Sequence, residues 1–154
     1  MTDKFDFGDG LVAAHKHVNG GGWVADTATV ADSAYVGPHA TVSGDSEVSG
    51  KAKVSDYAYV FGNAKVFGNA WIYGKSEVYG CAMVLGYAKI SGDAKVCGDA
   101  VVYGDAMIYG HSKVFGRADI GESVWVAGYS TVCGNAILSG KARIFGGVEN
   151  GQSS

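Results

Sequence analysis

Hydrophobic positions return every sixth residue from Val24 to Ile144, and the phrase that carries them recurs twenty-one times, without an insertion, as far as Glu149. The anchors are Val or Ile at every step except Leu138. Four positions after the anchor stands a small residue, Ala in fifteen repeats and Ser in four, with Val124 and Val148 the exceptions. Two positions after the anchor stands Gly in sixteen of the twenty-one. A period this short decides the architecture before any other feature is weighed.

Each phrase reads small-x-aliphatic-x-Gly-x, as in Ala64-Lys65-Val66-Phe67-Gly68-Asn69. Alternation at period two predicts a four-residue strand with the small and aliphatic side chains on its buried face. Gly and the Asn, Asp or Lys after it make the corner, because Gly tolerates dihedrals that a Cβ forbids. Strands this short bury nothing alone, so the pattern predicts a solenoid whose coils stack and pair in parallel. Three hexads close a triangular coil, and seven coils at roughly 4.8 Å each make a prism about 34 Å tall. Burying each anchor is worth about 1.5–3 kcal/mol, and the alanine column keeps the interior narrow.

Two hexads, Val36-Gly37-Pro38-His39-Ala40-Thr41 and Ile120-Gly121-Glu122-Ser123-Val124-Trp125, resemble the repeat of the bacterial transferase hexapeptide superfamily, aliphatic-Gly-x-x-small-x. The resemblance covers about residues 18–149, and most other hexads carry Gly one place later than that motif. It implies an all-β fold, a single-stranded left-handed parallel β-helix. The left hand comes from the resemblance alone, since crossover rules by themselves favour the right. It also implies homotrimers with parallel prism axes, and acyl-CoA-dependent acyltransferase activity at the subunit boundary, with a catalytic His from a helix or an extruded loop.

Outside the repeat, residues 1–17 are expected to cap the first coil, with Phe5, Phe7, Leu11 and Val12 supplying apolar groups and Gly8-Asp9-Gly10 a turn. An uncovered solenoid end exposes unpaired strand groups. Val18 keeps the phase of the anchors, so residues 18–149 are expected to form the β-helix, starting with an imperfect hexad whose small site is Gly22. Residues 150–154 are expected to be a mobile polar tail.

Length and composition imply one domain with a long, narrow core: 154 residues, 47% of them hydrophobic. The formal net charge is −3 with both signs interspersed, which favours neither a nucleic-acid groove nor an acidic mimic of one. No apolar run is long enough for a membrane span and no leader opens the sequence, so a soluble, cytoplasmic protein is expected. The three cysteines agree: Cys97 and Cys133 fall in one outward column two coils apart and Cys81 at a corner, so all are expected to be free thiols.

The outward positions sort into columns eighteen residues apart. The face carrying Val24 shows Tyr59, Phe61, Tyr79 and Phe115; the next shows Phe67, Met83, Leu85, Val101, Tyr103 and Ile137; the third shows Trp71, Tyr73, Met107, Tyr109, Trp125 and Phe145. One column of the third face runs Lys53, Trp71, Lys89, Met107, Trp125, Arg143, which predicts cation–π contacts. The rings either stabilise the sheets by stacking along their columns or form association surfaces. The candidate binding surface on the second reading is Phe61, Phe67, Trp71, Tyr73, Tyr79, Leu85, Tyr103, Met107, Tyr109, Phe115 and Trp125.

Candidate chemistry is sparse. His15 and His17, two apart on an extended segment, have the spacing to share a metal ion, but no carboxylate or Cys lies at ligand spacing; the alternative is a polar cap hydrogen-bonded to the first coil. His39 and His111 occupy the same kind of corner about 19 Å apart by coil spacing, too far to cooperate. The histidine spacing does not fit a γ-type carbonic anhydrase, no His stands beside a Cys for nucleophilic chemistry, and Thr27, Thr29, Thr41 and Thr131 form no ice-binding ladder. No catalytic residue, metal or cofactor is therefore expected. The His-Lys-His lead-in at 15–17, the Gly-Gly-Gly-Trp-Val-Ala of 20–25 and phrases such as Tyr103-Gly104-Asp105-Ala106 look similar to solenoid proteins of bacteria and their phages. The expectation is a non-catalytic binding or scaffold module, a phage product that engages a host protein being one form of it; the alternative is the acyltransferase.

Overall fold

A computed structural model describes residues 3–151. It is an all-β solenoid of about seven coils, with no helix among the described residues. The first strands are β1 (Lys4–Asp6), β2 (Leu11–Lys16) and β3 (Trp23–Ala25); beyond them each hexad contributes a strand of two residues, the anchor and its predecessor, as in Lys65–Val66. Two strands and their neighbours eighteen residues away pair in parallel: Trp71–Ile72 joins Lys53–Val54 on one side and Lys89–Ile90 on the other. Stacking every third strand makes three sheets, one of ten strands and two of seven, which are the three faces of the prism.

The anchors from Val36 to Val132 are fully buried, and so is the small column from Ala34 to Val124. Serine is tolerated in that column because its hydroxyl is never left unpaired. Ser46, Ser76 and Ser112 each donate to the carbonyl three residues back, at 2.7 Å, and Ser130 does so at 2.6 Å.

Corner geometry explains the recurrent glycine. Gly98 has φ of 67°, and a Cβ there would stand 2.8 Å from the nitrogen of Gly116, its counterpart one coil on. Asp56 and Glu122 occupy the same slot at φ of 56° and 53°. Their side chains turn the close approach into a hydrogen bond: Asp56 accepts the Gly74 N–H at 3.1 Å, and Glu122 accepts that of Gly140. In the first coil Asp26, Asp32 and Pro38 do not enter this region. There the hydroxyls of Thr27 and Ser33 donate to the carbonyls of Gly44 and Gly50, bonds made elsewhere by the corner N–H, as in Asp45 to Gly62.

The N-terminal segment is built differently from a repeat. β1 and β2 form an antiparallel hairpin, and β2 pairs antiparallel with β3, so the hairpin extends the first face at its leading edge. Asp6 closes the turn by accepting the N–H groups of Gly8 and Gly10, which holds its carboxyl below the ordinary range. Residues 17–22 then fold across the end of the third face. Asn19 accepts the Val36 N–H, Gly22 donates to the Val36 carbonyl, and His17, buried, meets the Ala34 carbonyl at 2.9 Å.

Two expectations of register are corrected. Val18 is 78% exposed and anchors nothing; it sits in the covering turn, and the periodic core begins at Val24. At the other end the repeat loses one residue, because Val148 pairs with Thr131 where strict spacing would bring Glu149. The Gly146–Gly147 corner permits the shortening, Gly147 having φ of 79°. Val148 thus leaves the small site, points outward and is 65% exposed. Asn150 and Gly151 lie against the corner before them, a Cβ on Gly151 being 2.4 Å from the Ala136 nitrogen. The remainder of the expected tail, 152–154, lies outside the described residues.

Candidate functional site

None of the aromatic and aliphatic residues expected on the outer surface is buried, but the structure does not bring them together. Phe61, Tyr79 and Phe115 stand on the first face, Phe67, Leu85 and Tyr103 on the second, and Trp71, Tyr73, Met107, Tyr109 and Trp125 on the third. The three faces use them differently.

On the first face Tyr59, Phe61 and Tyr79 are engaged within the chain, while Phe115 is exposed. Phe61 stacks on Tyr79 one coil away, centroids 4.8 Å apart and planes within 6°, and Tyr59 leans on Phe61 at 4.3 Å. Tyr59 also meets the Ser43 hydroxyl at 2.7 Å and donates to the Phe7 carbonyl at 3.2 Å, so the hairpin turn is fastened over this face. Burial pushes the Tyr59 phenol up. A hydrogen bond to Cys97, together with burial, pushes Tyr79 up to about 12. Between turn and face lies a cavity of about 430 Å³ lined by Phe7, Val12, Tyr59 and Phe61. Two lysines of the first and second faces find partners one coil away, Lys95 with Glu77 at 3.4 Å and Lys65 with Glu47 at 3.9 Å, while Lys113 on the first face has no carboxylate within ion-pair distance among the described residues.

The third face carries a groove of about 830 Å³ running along the axis. Its floor is the column Lys53, Trp71, Lys89, Met107, Trp125 and Arg143, set side by side by the parallel register. Its wall is the corner column Lys51, Asn69, Tyr87, Asp105, Ser123 and Lys141. The expected cation–π contacts form at two places: Lys53 lies 5.7 Å from the Trp71 ring and the Arg143 guanidinium 4.2 Å from the Trp125 ring. Arg143 is further held by the carbonyls of Ser123, Lys141 and Ala142. Trp71 donates from its indole N–H to Ser55 at 2.9 Å, leans on Tyr73 and stays 37% exposed.

Five cations and a single carboxylate line this groove, on a chain whose net charge is −3. Among the described residues Lys51, Lys53, Lys89 and Lys141 have no carboxylate within ion-pair distance. Unneutralised cations over a low-dielectric floor focus a positive potential that attracts anions. The wall was not legible from the strand columns, because its residues are corner residues; the signal was their own eighteen-residue column, lying beside the Lys–Trp column.

The histidines do not converge. His15 pairs with Asp26 at 2.7 Å on the exposed side of the hairpin, while His17 turns inward to Ala34, so both act in the cap. His39 stacks on Tyr57 at 5.2 Å and His111 on Tyr129 at 4.8 Å, with Asp93 3.5 Å from the His111 ring nitrogen. Both lie on the corner after the third face, away from the groove wall. No three metal-ligating side chains cluster among the described residues, and the three cysteines are free. No helix among them is long and apolar enough to cross a membrane. Comparison with protein-family models, with curated proteins and with solved structures finds no match to this chain.

Proposed function

We propose that the protein is a non-catalytic binding module, a β-helix of the hexapeptide-repeat kind used as a rigid rod, with the third face as its working surface. The observation that carries this reading is the set of unpaired lysines around exposed indole in one long groove. Such an arrangement costs self-repulsion unless a partner neutralises it, and it gathers four unpaired lysines in one groove, whereas Lys65 and Lys95 on the other faces are each matched to a carboxylate one coil away. The acyltransferase alternative gains no support from the groove, whose lining has no histidine to serve as a base.

Retention on immobilised protein tests the reading. Bacterial extract is passed over the wild type, over Lys53→Gln/Lys89→Gln and over Lys95→Gln/Lys113→Gln. Material held by the wild type and by the first-face variant, but lost by the third-face variant, is the expected outcome. Retention indifferent to Lys53 and Lys89 would contradict it.

A further inference from the structure

We propose that the groove takes an acidic polysaccharide, lying along the solenoid axis, in which charged and uncharged sugars alternate. The inference rests on the third face being the binding surface and names what that surface binds.

The floor of the groove alternates over its first three positions, before Met107 and Trp125 lead to Arg143. Lys53, Trp71 and Lys89 are direct neighbours in the sheet, so cation, indole and cation follow one another at one-coil steps of about 4.8 Å. One step is close to the length of a pyranose unit in an extended chain. A ligand matching this floor presents an anion, an apolar ring face and an anion in one file. Alternating uronate and neutral sugar units have that order: carboxylates meet Lys53 and Lys89, and the C–H face of the sugar between them lies on Trp71. Asn69, Tyr87 and Ser123 on the wall supply polar groups for the hydroxyls.

Other linear anions fit less well. An extended peptide can gain main-chain affinity by adding a strand to a free sheet edge, and that route is closed here because Trp71–Ile72 is paired on both sides. A single-stranded nucleic acid sets its bases beside its phosphates, and so uses aromatic platforms and cations in parallel tracks. Here the rings and cations of the floor share one track. The rest of the rod is acidic, which disfavours a densely charged phosphate backbone more than a chain with one charge on every second unit.

Calorimetry with defined probes tests this. The probes are oligosaccharides of hyaluronan and of unsulfated chondroitin, both alternating uronate and N-acetylhexosamine, long enough to span the groove. Neutral chitin oligosaccharide, oligo-dT and polyglutamate are the comparisons. The expected result is binding of at least one uronate oligomer, weakening as salt rises. Lys53→Gln/Lys89→Gln and, separately, Trp71→Ser weaken it by about tenfold or more, while Lys95→Gln/Lys113→Gln leaves it unchanged. All these side chains are at least partly exposed, and unaltered thermal unfolding confirms that the variants are folded. No uronate binding, equal binding of the neutral chitin oligomer, or preferred binding of oligo-dT or polyglutamate would overturn the proposal. In that last case, a dependence on Lys53 and Lys89 would keep the third face as a binding surface and discard only the sugar. Extract retention indifferent to those lysines would remove the underlying reading itself.

Discussion

The first and third faces of the prism are built on the same interior and carry similar numbers of rings, yet their outer surfaces are organised in opposite ways. On the first face the groups of the middle coils are satisfied within the chain, Phe61 by Tyr79, Tyr59 by Ser43 and Phe7, and Lys95 by Glu77, while Lys113 and Phe115 beyond them are exposed. On the third face the indoles meet cations, and those cations meet no carboxylate. The contrast separates aromatic residues that stack on one another along a flat sheet from aromatic residues left beside unpaired cations. Counting rings does not reveal it; the partner of each ring does.

The interior underlies both faces, so damage there should erase the comparison. Ile90, fully buried in the middle of the third face, is expected to lose about 2–5 kcal/mol on truncation to Ala through transfer and cavity costs. Ala94→Leu should overpack the neighbouring site at about 1–3 kcal/mol. Denaturant melts check both, and an unchanged midpoint for Ala94→Leu would mean that the alanine column is not the tight seam described above.

Changes on the outside should separate the faces. Lys53→Gln/Lys89→Gln removes exposed, unpaired charges, so stability should stay within about 0.5 kcal/mol while binding falls. Tyr79→Phe acts on the first face. Because the folded phenol is raised to about 12, its neutral form contributes stability that is fully present below the unfolded value near 10 and lost as pH rises through about 12. The variant should therefore lose less stability than the wild type between those limits, as alkaline denaturation followed by circular dichroism would show. An identical alkaline limb in the two proteins would place the raised phenol elsewhere.

The smallest effects belong to the corners. Asp56→Ala keeps a Cβ in the left-handed region and removes the bond to Gly74, at about 1 kcal/mol. Asp56→Gly trades that bond against relief of strain and should be close to neutral. If Asp56→Ala were the milder change, the carboxylate would not be what makes the corner tolerable.

How far the sequence could be read follows from where periodicity operates. Val36 through Val132 and Ala34 through Ala118 were legible because one physical demand, a narrow dry interior, repeats at every hexad. Val18 misled because it kept the phase of the anchors where the chain had already turned aside to cover the first coil. Val148 misled because Gly146–Gly147 allowed one residue to drop out. Antiparallel pairing of Leu11–Lys16 with Trp23–Ala25 obeys no period, so a cap could be expected but its hairpin could not. The Lys53–Trp71–Lys89 file was visible as a column. Its significance was not, since the missing carboxylates and the flanking wall from Lys51 to Lys141 emerge only when the three faces are compared in space.

Lysines on all three faces allow the central claim to be read in one measurement. The protein is acetylated under limiting reagent, alone and with the material it retains, and the modification of each lysine is measured by mass spectrometry. Protection of Lys53 and Lys89, with Lys65, Lys95 and Lys113 reacting as in the free protein, is the result expected of a module that binds through its third face. Equal protection on every face, or protection confined to Lys95 and Lys113, would contradict it.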